Sequence, residues 1–140
     1  MNSEKEMKEI LLSAKTVASV GLSSNPAKES FSIVQYLKDQ GYKIIPVNPT
    51  ATEIMGEKAY PDLSSVPVSV DIVQVFRKPE DVPPVVDEAI KIGAKVVWMQ
   101  EGIVNEEAAQ KAREAGLKVV MDACMRAMHR ALIGPRRINI

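Results

Sequence analysis

The residues best equipped for chemistry in this sequence form one short polar run, GLSSNPAKES, from Gly21 to Ser30. Gly21 permits a tight turn and a close backbone approach. Ser23, Ser24, Asn25 and Ser30 supply short hydrogen-bonding side chains, and Lys28 adds a mobile positive charge. If a helix starts at the end of this run, its unpaired N–H groups and its dipole favour an anion, above all a phosphate. A capped turn recruits the same residue types, so the run alone reads equally well as a plain connection. Neither common phosphate loop is present. Only Gly21 of the three glycines of G-x-G-x-x-G occurs, and the P-loop signature is missing.

Further polar groups follow other apolar stretches. KIIPV (43–47) ends in Val47-Asn48-Pro49, where a dinucleotide-binding domain commonly carries an acidic residue for the ribose hydroxyls. Here no carboxylate occurs until Glu53, and Asn48 can hydrogen-bond a ligand without repelling a phosphate. This weighs against NAD. DIVQVF (71–76) delivers Phe76, Arg77 and Lys78: an aromatic surface for a base and two cations for a phosphate. KVVWM (95–99) delivers Met99, Gln100 and Glu101 towards the same edge, with Trp98 expected in the core.

Cys124 and His129 invite a nucleophile-and-base reading. Five residues turn a helix by about 140°, so the two do not share a face. Cys124 is expected to be a buried structural cysteine, and His129 a surface or interface residue. Paired carboxylates, H-E-x-x-H and Cys/His metal spacings are all missing, and no catalytic set emerges.

The elements that must position these groups alternate regularly. Residues 3–14 and 31–40 read as amphipathic helices, the second with Phe31, Val34 and Leu37 on one face and Gly41 at its end. Strands are expected at 16–22, 43–47, 71–76, 95–99 and 117–121, with a short edge strand near 58–60. Helices are expected from about Asp81 to Lys91, over 105–115, and over 123–133 with Asp122 as its cap. The strands are continuous apolar runs, which implies a parallel sheet covered on both faces. The fold class is therefore α/β: a doubly wound, Rossmann-like, mainly parallel five-stranded sheet with the first strand central. In such sheets ligands bind at the carboxyl ends of the strands, where the strand order reverses.

The 140 residues fit one domain (1–140), with an N-terminal helix in 1–15 and a tail at 135–140. Eighteen basic and 18 acidic residues give zero formal net charge, which argues against nucleic acid as a partner. One cysteine excludes an intramolecular disulfide, the N-terminus lacks a signal-peptide core, and no apolar run is long enough for a membrane span. A cytoplasmic location is the expectation, without a membrane partner.

Five segments, VGLSSNPAKES, GYKIIPVNP, DIVQVFRKPE, GAKVVWMQEG and VVMDACM, occur in an order and spacing that resemble the small stand-alone CoA-binding proteins. Their fold is shared with the N-terminal domain of the succinyl-CoA synthetase α subunit. The resemblance covers roughly residues 10–132. It implies coenzyme A as the cofactor, with Gly21, Ser23, Ser24 and Asn25 near its phosphates and Val47, Asn48 and Phe76 to Lys78 flanking the nucleotide. Met99 and Gln100 match a short ligand-contacting segment of the synthetase domain. The synthetase also has a second domain carrying a phosphohistidine; no such domain is expected here, so ligase activity is not expected to carry over. Relatives usually have larger or charged residues around the Asp-x-Cys-Met segment, where this chain has Ala123, Ala127 and Met128. The expectation is a non-catalytic module that binds CoA or acyl-CoA as carrier, sensor or regulatory subunit. The rivals are a component of a multi-chain acyl-CoA ligase and an NAD(H)-responsive domain. A homodimer or a partner enzyme subunit would suit the apolar helix faces, and a lone thiol beside bound CoA could form a mixed disulfide.

Overall fold

The computed structural model describes residues 3–135. Along the chain, α1 (Glu4–Ser13) leads to β1 (Thr16–Val20), α2 (Glu29–Asp39), β2 (Lys43–Val47) and a small hairpin of β3 (Glu53–Ile54) and β4 (Glu57–Lys58). Then follow β5 (Ile72–Val75), α3 (Val82–Lys91), β6 (Val96–Met99), α4 (Glu106–Glu114), β7 (Lys118–Val120) and α5 (Met125–Leu132). The five long strands form one sheet in the order β2-β1-β5-β6-β7, parallel at every pairing.

Local signals set the helix starts. The Ser3 hydroxyl accepts from the Glu6 N–H at 3.1 Å, and Met7, Ile10 and Leu11 then bury one stripe of α1. Asn105 caps α4 by accepting from the Ala108 N–H at 2.9 Å. Pro79 opens a single 3₁₀ turn ahead of α3, and Pro83 and Pro84 fall in the first turn of α3, where no backbone donor is lost.

Each strand is buried on both faces, as its continuous apolar sequence requires. On one face Ala18, Val20, Val73, Val75, Val97 and Met99 pack with α3 and α4 in an aliphatic layer. On the other face Val17, Ile72 and Trp98 pack with α1, α2 and α5. Trp98 is fully buried, and its indole N–H donates to the Ala123 carbonyl at 2.8 Å, so its expected core role holds. The apolar stripe of α1 and Met125 of α5 lie within this second layer and are covered by the chain's own core.

Three expectations need correction. The middle strand is β5, not β1; β1 lies beside it, and the order reverses between the two. The segment near 58–60 is not a sheet-edge strand. Met55 (φ 45°) and Gly56 (φ 80°) make a two-residue turn that folds Glu53–Lys58 into a separate hairpin, leaving Tyr60 a single bridge to Val47. Asp122 does not cap α5. It takes a left-handed conformation (φ 55°), and its carboxylate accepts from the Gly102 N–H at 2.7 Å. Residues 136–140, most of the expected tail, lie outside the described residues.

Candidate functional site

The loops after β1 and β5 meet at Gly21. Its N–H donates to the Val47 carbonyl at 3.1 Å, and its φ is +86°. A Cβ at this position would stand 2.4 Å from the Phe76 carbonyl oxygen. Glycine is therefore demanded by the fold, because three strand ends converge here. The same Cβ position lies 3.4 Å from Arg77 Nε, so the Arg77 side chain lies against Gly21 at the point of strand-order reversal.

The Ser/Asn side chains of the run hold its own backbone. Ser30 Oγ accepts from the Ser23 N–H at 3.1 Å, Ser23 Oγ from the Asn25 N–H at 3.0 Å, and Asn25 Oδ1 from the Ala27 N–H at 2.9 Å. Each oxygen is used as an acceptor, so the Ser23 and Ser30 hydroxyl protons are not needed for these bonds. Ser24 and Lys28 are exposed. Lys28 sits at the N-cap of α2 and provides no side-chain acceptor, so the first-turn N–H groups of that helix lack a cap.

Asn48 is committed to structure. Its Nδ2 donates to the Leu22 carbonyl at 3.1 Å, and its Oδ1 accepts from Thr50 and Ala51. It ties the loop after β2 to the loop after β1, beside exposed Pro49. Val47 and Met99 reach the same edge only through their backbones, because their side chains lie in the aliphatic layer at 3% and 0% exposure. The strand alternation of period two could have placed both side chains there, since Val47 lies two residues beyond Ile45 and Met99 two beyond Val97.

Between the starts of α2 and α5 lies a crevice of about 180 Å³, lined by Ser30 and Ile33 from α2, half-buried Phe76, and Gln100 and Cys124. Glu29 and Glu101 stand at its rim. Ile33 is not among the residues expected here, and Cys124 is expected in the buried core rather than beside a ligand. The helical step from Ser30 to Ile33 points to the first; the second depends on where α5 docks. Under the crevice a buried polar chain crosses three strands. Ser19 Oγ donates to Gln74 Oε1 at 2.8 Å, and Gln74 Nε2 donates to Gln100 Oε1 at 3.1 Å. Gln100 Oε1 also accepts from the Met125 N–H at 3.0 Å, satisfying the start of α5 where Asp122 does not.

The cysteine and histidine take places the sequence does not suggest. Cys124 is part-exposed at the crevice wall, not buried. His129 is 2% exposed, not at the surface. It shares the buried face of α5 with Met125, four residues earlier, and its Nδ1 pairs with the Tyr36 hydroxyl at 2.8 Å. Burial pushes the Tyr36 phenol up, against the opposing pull of Arg130 and Arg126. The two residues do not form a catalytic pair.

Charge is divided along the edge. Lys28, Arg77 and Lys78 are in no ion pair among the described residues, whereas the carboxylates of Glu29 and Glu101 border the crevice. The described residues hold no cluster of three or more His, Cys, Asp or Glu that could bind a metal, and no described helix is long and apolar enough to cross a membrane. The edge thus carries cations without ion pairs in one stretch and, in another, a half-apolar crevice bordered by carboxylates.

Known proteins resemble this chain in sequence and fold. A CoA binding domain model matches residues 15–130. The uncharacterized protein YneT of Bacillus subtilis is 45% identical over 127 residues, covering 91% of this chain and 94% of that one. A hypothetical protein from Pyrococcus horikoshii has the same structure, with a TM-score of 0.92 at 40% identity over 95% of this chain and 94% of its own. The ADP-forming acetate–CoA ligase II of Archaeoglobus fulgidus is 35% identical over 100 residues, which are 70% of this chain but only 15% of the ligase. The chain is a member of the CoA-binding domain family, with a Rossmann-like fold related to domains of ADP-forming acyl-CoA ligases.

Proposed function

We propose that this chain binds coenzyme A, free or acylated, along the carboxyl edge of its sheet and acts as a carrier, sensor or regulatory module without chemistry of its own. The observation that carries the reading is the loop that leaves β1 where the strand order reverses: Arg77 lies against Gly21 at its start, and Lys28 at its end opens a helix with no side-chain cap. Unpaired cations and unpaired N–H groups suit the phosphates of CoA. In this reading Gly21 and Ser23 to Asn25 border the phosphates, with Lys28, Ser30, Arg77 and Lys78 around them. Asn48 and Pro49 border the nucleotide beside Phe76. Val47 and Met99 contribute backbone alone.

The absence of own chemistry rests on His129. Its burial and its bond to Tyr36 keep the described chain's histidine away from the crevice, so it is unsuited to carry a phosphoryl group. A second reading, a CoA-binding component of a multi-chain acyl-CoA ligase, is favoured by the identity to the archaeal ligase. In that case a partner chain supplies nucleotide and phosphohistidine domains, and the chain should copurify with it.

Calorimetric titration with CoA, acetyl-CoA and NAD tests the reading. CoA and acetyl-CoA are expected to bind and NAD is not. Binding of NAD without CoA would overturn it. ATP-dependent thioester formation by a copurified complex, lost when the chain is removed, would favour the ligase reading.

A further inference from the structure

The crevice between α2 and α5 differs chemically from the cationic loop a few residues away, and one buried amide defines it. Gln100 is 4% exposed, and both hydrogen bonds given to its side chain enter through Oε1. The orientation of this amide follows from hydrogen-bond chemistry. The Met125 backbone N–H can only donate, so the Gln100 atom facing it must be the carbonyl oxygen. The Gln74 atom facing that oxygen must then be its amide nitrogen, and Gln74 turns its own oxygen to the Ser19 hydroxyl. One backbone donor at the start of α5 thus sets the direction of the whole chain. It leaves Gln100 Nε2 with no acceptor among the described residues; since none of their polar side-chain atoms is both fully buried and unpaired, this nitrogen is open to the crevice that Gln100 lines.

A donor held in this way asks for an acceptor from outside the protein. Ile33, Phe76 and the Cys124 thiol surround it, and Glu29 and Glu101 at the rim oppose an anion. The fitting group is a neutral carbonyl oxygen on a slender, half-apolar arm. Resting on the CoA reading above, we propose that Gln100 Nε2 donates to a carbonyl oxygen of the pantetheine or acyl arm. Ser19 and Gln74 act as positioning residues that fix which end of the Gln100 amide faces the ligand. The phosphates then lie at the Lys28–Arg77 end, and the charge division along the edge sets the direction of the bound molecule.

The test separates the two ends of the ligand. Wild type, Gln100→Glu and Gln74→Met are titrated with CoA, acetyl-CoA and adenosine 3′,5′-bisphosphate, the nucleotide fragment without the arm. Gln100→Glu keeps an acceptor for the Met125 N–H and removes the donor; Gln74 is fully buried and cannot touch ligand. Gln100→Glu should weaken acetyl-CoA about tenfold and Gln74→Met several-fold, with the bisphosphate unchanged within about twofold. A pantetheine amide as the acceptor predicts equal losses for CoA and acetyl-CoA, and a thioester carbonyl a larger loss for acetyl-CoA. Ligand protection of Cys124 from iodoacetamide should weaken in parallel. Wild-type affinity for both CoA and acetyl-CoA in both variants, or an equal loss for the bisphosphate, overturns the proposal alone. Failure of wild type to bind CoA overturns both this proposal and the reading on which it rests.

Discussion

The two ends of the sheet use one device, a polar side chain accepting from backbone N–H groups, with opposite results. At the amino ends of the strands, Asp71 Oδ2 accepts from Lys15 and Thr16 at 2.8 and 3.1 Å, and Oδ1 pairs with Lys95 Nζ at 3.4 Å. One carboxylate thereby joins the beginnings of β1, β5 and β6, and its strong donors are all matched. At the carboxyl ends, Ser23, Asn25, Ser30 and Asn48 hold their loops just as firmly, yet among the described residues Lys28, Arg77 and Lys78 are left without an ion pair and Gln100 Nε2 without an acceptor. Polar side chains at a strand end therefore do not mark a site. In the reading proposed above, the donors left over after the loop has satisfied itself do.

The largest effect expected from breaking this comparison is at Gly21. Gly21→Ala places a Cβ against the Phe76 carbonyl in a backbone region that L-residues avoid. A loss of roughly 3 kcal/mol in unfolding free energy is expected, read by urea denaturation, together with loss of CoA binding. A variant as stable as wild type would mean that the meeting of strand ends does not require glycine.

Asp71 should separate stability from binding. Asp71→Ala removes charge-assisted bonds at the closed end, at a cost of about 2 kcal/mol. Its affinity for CoA, measured on the folded fraction, should equal that of wild type. Burial by itself would raise the Asp71 carboxyl, but the N–H groups of Lys15 and Thr16 and the Lys95 ammonium outweigh it and hold the group below its usual range. A folded value below the unfolded one, about 3.9, stabilises the native state above that pH. The contribution is lost as pH falls through the folded value. Acid unfolding of wild type and Asp71→Ala should therefore converge below about pH 4; curves that remain parallel would assign the stabilisation to something other than this carboxylate.

The fold was legible because local signals agree. Continuous apolar strands, Asn105 and Ser3 as caps, and prolines confined to a first turn all point to one doubly wound sheet. The site was legible as a set of loops but not as a set of side chains. Asn48 looks like a ligand-facing amide in sequence, and only its distances to Leu22, Thr50 and Ala51 reveal a staple. Cys124 and His129 exchange their expected places: the helix begins at Met125, which leaves Cys124 at its N-cap, and α5 docks with the face of Met125 and His129 inward. These outcomes depend on long-range docking, which residue spacing along one strand or helix does not encode.

The smallest effects expected are those of the outward-facing cations, and they sharpen the comparison most. Arg77 is half-buried against Gly21, whereas Lys28 is exposed. A guanidinium held against the loop loses less freedom on binding a phosphate than a solvated lysine does. Arg77→Ala should weaken CoA about tenfold and Lys28→Ala about threefold, with unfolding free energies unchanged within about 0.5 kcal/mol. If these side chains meet the 3′-phosphate, both losses should be larger for CoA than for dephospho-CoA. The Lys28 loss should also fade more as salt rises, because an exposed charge is screened first. Equal losses for the two ligands would move the 3′-phosphate away from this loop and leave the diphosphate as the group it holds. A loss of stability in either variant would mean that the open end is tied into the fold like the Asp71 end, and the contrast between the two ends would disappear.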